Sequence, residues 1–229
     1  MTPQTSTPHT STPRASAPRT TRSEVQTPAG PARIHLTRPE GDQRGVLVLT
    51  HGAGGRLTAP EFAPIRTTMV ELGWAVALVE QAWVLAGQKL PPQPPKQDPA
   101  WLPVVASLRS GRRRLHGPFV VGGKSNGARV ACRTAHESGA DAVLCLSFPL
   151  HPPGKPETSR AEELRAPLPH GIPLHVVQGA SDPFGSPEEV RAELPDPALV
   201  TEVAGGHSFP RNPVDAVAAV REFVGSLRH

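Results

Sequence analysis

The stretch Phe119-Val120-Val121-Gly122-Gly123-Lys124-Ser125-Asn126-Gly127 constrains the fold more than any other part of the chain. An apolar run ends in the pattern G-x-S-x-G, which fits a strand that turns sharply into a helix and leaves one serine exposed at the turn. Small residues are needed on both sides of that serine, because the strained turn brings the backbone close to the neighbouring strand and helix. The pattern is short and arises by chance in many chains, so its surroundings decide its weight. Here His51-Gly52-Ala53-Gly54-Gly55 precedes it, and Asp182 and then His207 follow it.

Hydrophobic patterning places these residues in one architecture. The continuous apolar run at 46–49 reads as a strand buried on both faces, and 74–79, 119–122, 142–146, 172–178 and 199–203 read as further strands. Alternation around Ile34 and Leu36 reads as an edge strand. Helical spacing predicts helices over about 60–72, from Asp98-Pro99 onward, over 126–138, from the capping box Ser186-Pro187-Glu188-Glu189, and after Asn212-Pro213. Strands alternating with helices predict an α/β fold with a mainly parallel sheet, helices on both faces and a minimal cap or none. Ligands bind such sheets at the carboxyl ends of the strands. Each candidate residue above lies just after a predicted strand.

Composition bounds the remainder. Residues 1–31 are rich in Ser, Thr and Pro, with Pro3, Pro8, Pro13 and Pro18 at a five-residue period. Such a segment buries too little apolar surface to offset its ordering entropy, so it reads as a disordered arm, with 32–229 forming the folded domain. Two further stretches, 81–97 and 148–171, are proline-rich and long for α/β connections. They either rim the site or run as stiff surface loops. Cys132 and Cys145 fall in a predicted helix and strand and read as buried, reduced thiols. With no apolar run near ~18 residues and no signal-peptide pattern, a cytoplasmic protein without membrane contact is expected.

The net charge of +4 does not point to nucleic acid. Half of it sits in the first 32 residues, and the one dense basic cluster, Arg112-Arg113-Arg114, lacks the interleaved aromatics of a base-stacking platform. Metal-ligand spacings such as H-E-x-x-H or C-x-x-C are missing from the sequence, and neither a metal nor a cofactor is expected.

A serine hydroxyl is a poor nucleophile at neutral pH. It needs a base within hydrogen-bond reach, and the base needs a third group to fix its tautomer. Ser125 is the candidate nucleophile, His207 the base and Asp182 the orienting acid. Asp141, Asp196 and Asp215 lie at the wrong ends of their elements. The glycine-rich loop after the 46–49 strand offers backbone N–H groups to a developing oxyanion: Ala53, or alternatively Gly54, acting with Asn126. The Asn126 side chain is a further candidate donor there. His51 and Gly52 are expected to brace the loop. The order Ser–Asp–His is that of α/β hydrolases.

Three motifs carry a family resemblance: Val48-Leu49-Thr50-His51-Gly52-Ala53-Gly54, Gly122-Gly123-Lys124-Ser125-Asn126-Gly127-Ala128-Arg129, and Phe148-Pro149-Leu150-His151-Pro152-Pro153-Gly154-Lys155-Pro156-Glu157. Over about 33–228 the chain resembles the α/β hydrolases related to testis-expressed protein 30 and to a regulatory subunit of the NSL histone-acetyltransferase complex. Bacterial relatives of that group are described as dienelactone-hydrolase-like. The third motif is the most specific. The resemblance implies the α/β-hydrolase fold and, by position, the Ser125–Asp182–His207 set; it implies no particular substrate. The chain departs from the family pattern at Asn126, where methionine is usual. Arg129 and Arg160, which recur in the family, read as structural or as anion-binding. The expected activity is cleavage of an ester or thioester of a small-molecule acyl substrate. A hydrolase-like binding module, which the eukaryotic relatives suggest, and an acyltransferase are the alternatives; no protein partner is indicated.

Overall fold

The computed structural model describes residues 19–112 and 114–227. The proline repeat at 3–18, the middle arginine of the basic cluster at 113, and residues 228–229 lie outside the described residues. The strands are β1 (Thr20–Thr27), β2 (Gly30–Thr37), β3 (Gly45–Thr50), β4 (Trp74–Glu80), β5 (Phe119–Lys124), β6 (Ala142–Leu146), β7 (Leu174–Gly179) and β8 (Val200–Val203). The helices are α1 (Phe62–Glu71), α2 (Ala82–Leu85), α3 (Pro94–Arg109), α4 (Asn126–Thr134), α5 (Ala161–Arg165), α6 (Pro187–Ala192) and α7 (Val214–Ser226).

The strands form one sheet in the order β1-β2-β4-β3-β5-β6-β7-β8. From β4 onward every pairing is parallel; β1 and β2 join antiparallel at one end. Val46, Leu47, Val48 and Leu49 of central β3 are all fully buried, as a strand covered on both faces requires. Period-two alternation divides the core into two layers. Val46 and Val48 face a layer with Trp101, Val104 and Val105 of α3, Val130 of α4 and Val190 of α6. Leu47 and Leu49 face the other, with Phe62, Ile65 and Met69 of α1 and Val220, Phe223 and Val224 of α7.

Three elements differ from the sequence reading. Residues 20–31, assigned to the arm by composition, form β1 and the start of β2, so the folded domain begins by Thr20. The mostly polar, exposed sequence of 20–27 suits an antiparallel edge, and Thr20 and Thr37 hydroxyls meet across it at 2.8 Å. β2 is therefore an interior strand. Helix α3 starts at Pro94, after Gln93, rather than being capped by Asp98. Pro94 stands at the first helical position, where its missing N–H costs nothing. Pro99 and Pro103 lie inside the helix, which persists because Trp101, Val104, Val105 and Leu108 bury one face. The capping box at Ser186 is present: Ser186 Oγ accepts from Glu189 N at 3.2 Å, and Ser186 N donates to Glu189 Oε2 at 2.7 Å.

Candidate active site

The carboxyl ends of β3, β5 and β7 and the loop after β8 converge on one rim of the sheet. β5 delivers Ser125 in a left-handed conformation, φ 53° and ψ −114°, which an L-residue adopts only under strain. Its N–H donates to Leu146 O at 2.9 Å, while its carbonyl accepts from Ala128 and Arg129 and starts α4. The flanking glycines are steric requirements. A Cβ on Gly123 or on Gly127 would stand 2.5 Å from Thr50 O. The elbow therefore packs directly on the end of β3, with Gly52 against Ser125 as well: a Cβ on Gly52 would meet Ser125 Cβ at 3.2 Å.

The structure brings Ser125, His207 and Asp182 into one line. His207 Nε2 lies 2.8 Å from Ser125 Oγ, and His207 Nδ1 lies 2.9 and 3.1 Å from the two oxygens of Asp182. The Asp182 side chain is fully buried, whereas the imidazole is 22% exposed. Phe184 lies tilted against the imidazole at 4.2 Å between ring centres. The carboxylate has two more donors: Phe184 N to Oδ1 at 2.9 Å and Gln178 Nε2 to Oδ2 at 3.1 Å. Those bonds fix its orientation.

Gln178 was not a sequence candidate. It is fully buried, and its Nε2 also donates to Gly185 O at 2.8 Å while its Oε1 accepts from Phe148 N at 2.9 Å. It thus ties the Asp182 turn to the segment after β6. Its only local signal is an amide at the end of an otherwise apolar parallel strand.

On the other side of Ser125, the β3 loop is held from beneath. His51 is fully buried, accepts from Gln81 N at Nε2 (3.1 Å) and donates from Nδ1 to Gly52 O (2.9 Å). Those two partners require the neutral ring with its proton on Nδ1. Burial pushes the His51 imidazole below its ordinary value. The Trp83 indole packs on its edge, ring centres 5.3 Å apart. Gly55 N closes a turn on Gly52 O at 3.0 Å, leaving Ala53 and Gly54 exposed at its tip. The N–H groups of Ala53 and Asn126 make no intramolecular hydrogen bond among the described residues.

The Asn126 side chain pairs with Gln97, to whose Oε1 its Nδ2 donates at 3.5 Å. Its Oδ1 accepts from Gln97 Nε2 at 2.6 Å, and Gln97 also donates to Gln81 Oε1 at 2.9 Å. A buried amide chain therefore crosses from β4 through α3 to the start of α4. Behind it, Arg133 binds Asp98 at 2.6 Å, and Glu163 joins Arg133 and Arg129, each at 2.6 Å. Burial works to raise the Glu163 carboxyl, but Arg129 and Arg133 hold it below the ordinary value. Arg160 donates to Pro149 O at 2.7 Å, so both family arginines have protein partners. Cys132 and Cys145 are buried free thiols, sulfurs 3.3 Å apart; burial raises the Cys145 thiol.

Residues 43–217 match the model of the alpha/beta hydrolase domain family. The chain belongs to that family. No curated protein matches the sequence. Among solved structures, XC6422 from Xanthomonas campestris, described as an α/β serine hydrolase without lid, is 19% identical with a TM-score of 0.69, covering 93% of this chain and 97% of that one. An α/β serine hydrolase homologue from Coxiella burnetii is 18% identical with a TM-score of 0.67, covering 89% and 95%. The esterase Pf2001 from Pyrococcus furiosus is also 18% identical with a TM-score of 0.67, covering 91% and 90%. The alpha/beta hydrolase fold of this protein is thus shared with serine hydrolases, one of them described as lacking a lid. The two proline-rich stretches are partly helical: 81–97 folds into α2 and the start of α3, and 148–171 into α5 and a 3-10 turn at Leu168–His170. Among the described residues, no helix is long and apolar enough to cross a membrane.

Proposed function

We propose that this alpha/beta hydrolase is a serine hydrolase that cleaves a carboxylic ester or thioester of a small-molecule substrate through an acyl-enzyme. The observation that carries the reading is the unbroken line from Ser125 Oγ through His207 to buried Asp182, at 2.8 and 2.9 Å. In this reading His207 Nε2 takes the serine proton as Oγ attacks the acyl carbonyl. The tetrahedral oxyanion is held by the N–H of Ala53, or of Gly54, together with that of Asn126. His207 then gives its proton to the departing alcohol or thiol, and the acyl group stays on Ser125. A water molecule, deprotonated by His207, attacks the acyl-enzyme, and the proton returns to Ser125 as the acid leaves. Asp182 keeps Nδ1 protonated and stabilises the imidazolium that forms in each half-reaction. His51 and Gly52 brace the oxyanion loop, which the two-sided bonding of the His51 ring supports.

The motif at 148–157 supports placing the chain near the relatives of testis-expressed protein 30. Two free thiols 3.3 Å apart suit a reducing compartment and hence the cytoplasm. A binding module has no physical need of an aligned nucleophile, base and acid. An acyltransferase would share the acyl-enzyme and differ in the acceptor. The test is Ser125→Ala assayed on a series of acyl esters and thioesters. We expect kcat/KM to fall by at least ~10⁴-fold, about 5.5 kcal/mol of transition-state stabilisation. Turnover retained by the folded variant would refute the serine mechanism.

A further inference from the structure

Lys124 occupies the variable position just before Ser125, where a sequence motif assigns it no role. Its side chain is only 11% exposed. The ammonium lies 2.9 Å from Oε1 of Glu61, which is itself fully buried, and donates to the backbone oxygen of His207 at 2.9 Å. It also stands 4.9 Å above the centre of the Phe209 ring. One cation therefore joins the strand carrying the nucleophile, the residue at the entrance to α1, and the loop carrying the base.

Phe209 anchors that loop in the core, and its Gly205–Gly206 backbone packs on Gly179, but it has few backbone hydrogen bonds. Gly205 O accepts from Ser181 N at 2.9 Å, and the next backbone bond along the chain is Val217 N to Pro213 O in α7. Among the described residues, no backbone–backbone hydrogen bond holds 206–212. The His207 side chain meets Asp182, Ser125 Oγ and the Phe184 ring, and the Lys124 bond holds its backbone carbonyl. Burying an ammonium and a carboxylate contributes little net stability compared with apolar residues of the same shape, so stability alone does not account for the pair. Neither oxygen of the Glu61 carboxylate accepts a hydrogen bond among the described residues, so the ion pair of Oε1 with Lys124 is what balances its buried charge.

We infer that Lys124 is a positioning residue: its ammonium, neutralised by Glu61, clamps the His207 backbone so that Nε2 stays in register with Ser125 Oγ. This rests on the serine-hydrolase reading above. Losing the clamp lets the imidazole drift, and a displacement of about 1 Å at a reacting group costs on the order of 10²-fold in rate. The effect belongs in kcat and in the rate of acylation, not in substrate binding, because Lys124 is turned away from solvent.

The experiment compares wild type, Glu61→Gln, Lys124→Met and the double variant Lys124→Met/Glu61→Gln, with thermal unfolding recorded for each. The double variant removes both charges and so avoids leaving a buried carboxylate unpaired in a protein that must still fold. Expected is a fall in kcat of about 10–100-fold in both Lys124 variants, with KM within about 3-fold. Glu61→Gln keeps the donor to His207 O, and its fall in kcat should be at least about tenfold smaller, whatever its loss of stability. A folded double variant with the kcat of wild type, or Glu61→Gln falling as far as Lys124→Met, would overturn the inference. Wild-type protein inert toward every ester and toward fluorophosphonates would instead strike the hydrolase reading on which it rests.

Discussion

Replacing His51 with phenylalanine should have two separable effects on stability. The first is a missing acceptor: Gln81 N, which now donates to His51 Nε2 at 3.1 Å in a fully buried setting, loses its partner. An orphaned buried donor costs about 1–3 kcal/mol. The second is a missing titration. Burial holds the His51 imidazole below its ordinary value of 6.5, so the unfolded chain takes up a proton more readily than the folded one. The neutral ring's contribution is full above about 6.5 and is lost as pH falls below it, because protonation would set Nε2–H against the Gln81 N–H. Between about pH 7.5 and about pH 5 one such group can remove at most about 2 kcal/mol. His175, also lowered by burial, adds a similar slope to both proteins and cancels in the comparison. Denaturant unfolding at the two pH values measures both effects. Wild type should exceed His51→Phe by about 1–3 kcal/mol at the higher pH, and the gap should shrink at the lower. A gap unchanged or widening toward acid would refute the neutral-brace account of His51.

Other expectations concern the elbow and the acid. Gly127→Ala places a Cβ 2.5 Å from Thr50 O and 2.8 Å from His51 O, both backbone, so it should destabilise by about 1–3 kcal/mol and slow acylation; calorimetry and ester hydrolysis would read the two losses. Asp182→Asn sets an amide against the donors Phe184 N, Gln178 Nε2 and His207 Nδ1, which displaces the proton toward Nε2. It should lower kcat by on the order of 10³–10⁴-fold with little change in KM, as steady-state kinetics would show.

Much of the fold was legible because its signals are local. Apolar runs such as 46–49 announce strands buried on both faces, and the position of Ser125, Asp182 and His207 just after predicted strands points to one rim. The edge was not legible: apart from Val25, which packs partly against the core, β1 is built of polar residues, and a largely exposed strand makes little demand for apolar ones. The start of α3 was masked by prolines whose cost is borne by the burial of Trp101 and Val105. Within the site, Gln178, Gln97 and Glu61 escaped notice because each works through a partner distant in sequence. Glu61 and Lys124 are such a pair, and neither residue's neighbours in the chain mark it. The partner of the Asn126 side chain escaped notice for the same reason, since Gln97 reaches it from another helix.

The central claim is that Ser125 is a nucleophile activated by His207 and Asp182. Its most direct test is intact-mass spectrometry of the protein after treatment with a fluorophosphonate, followed by peptide mapping. One adduct per chain on Ser125, lost in His207→Ala, is the predicted result. Folded protein that takes up no adduct, or takes it up at another residue, would contradict the claim.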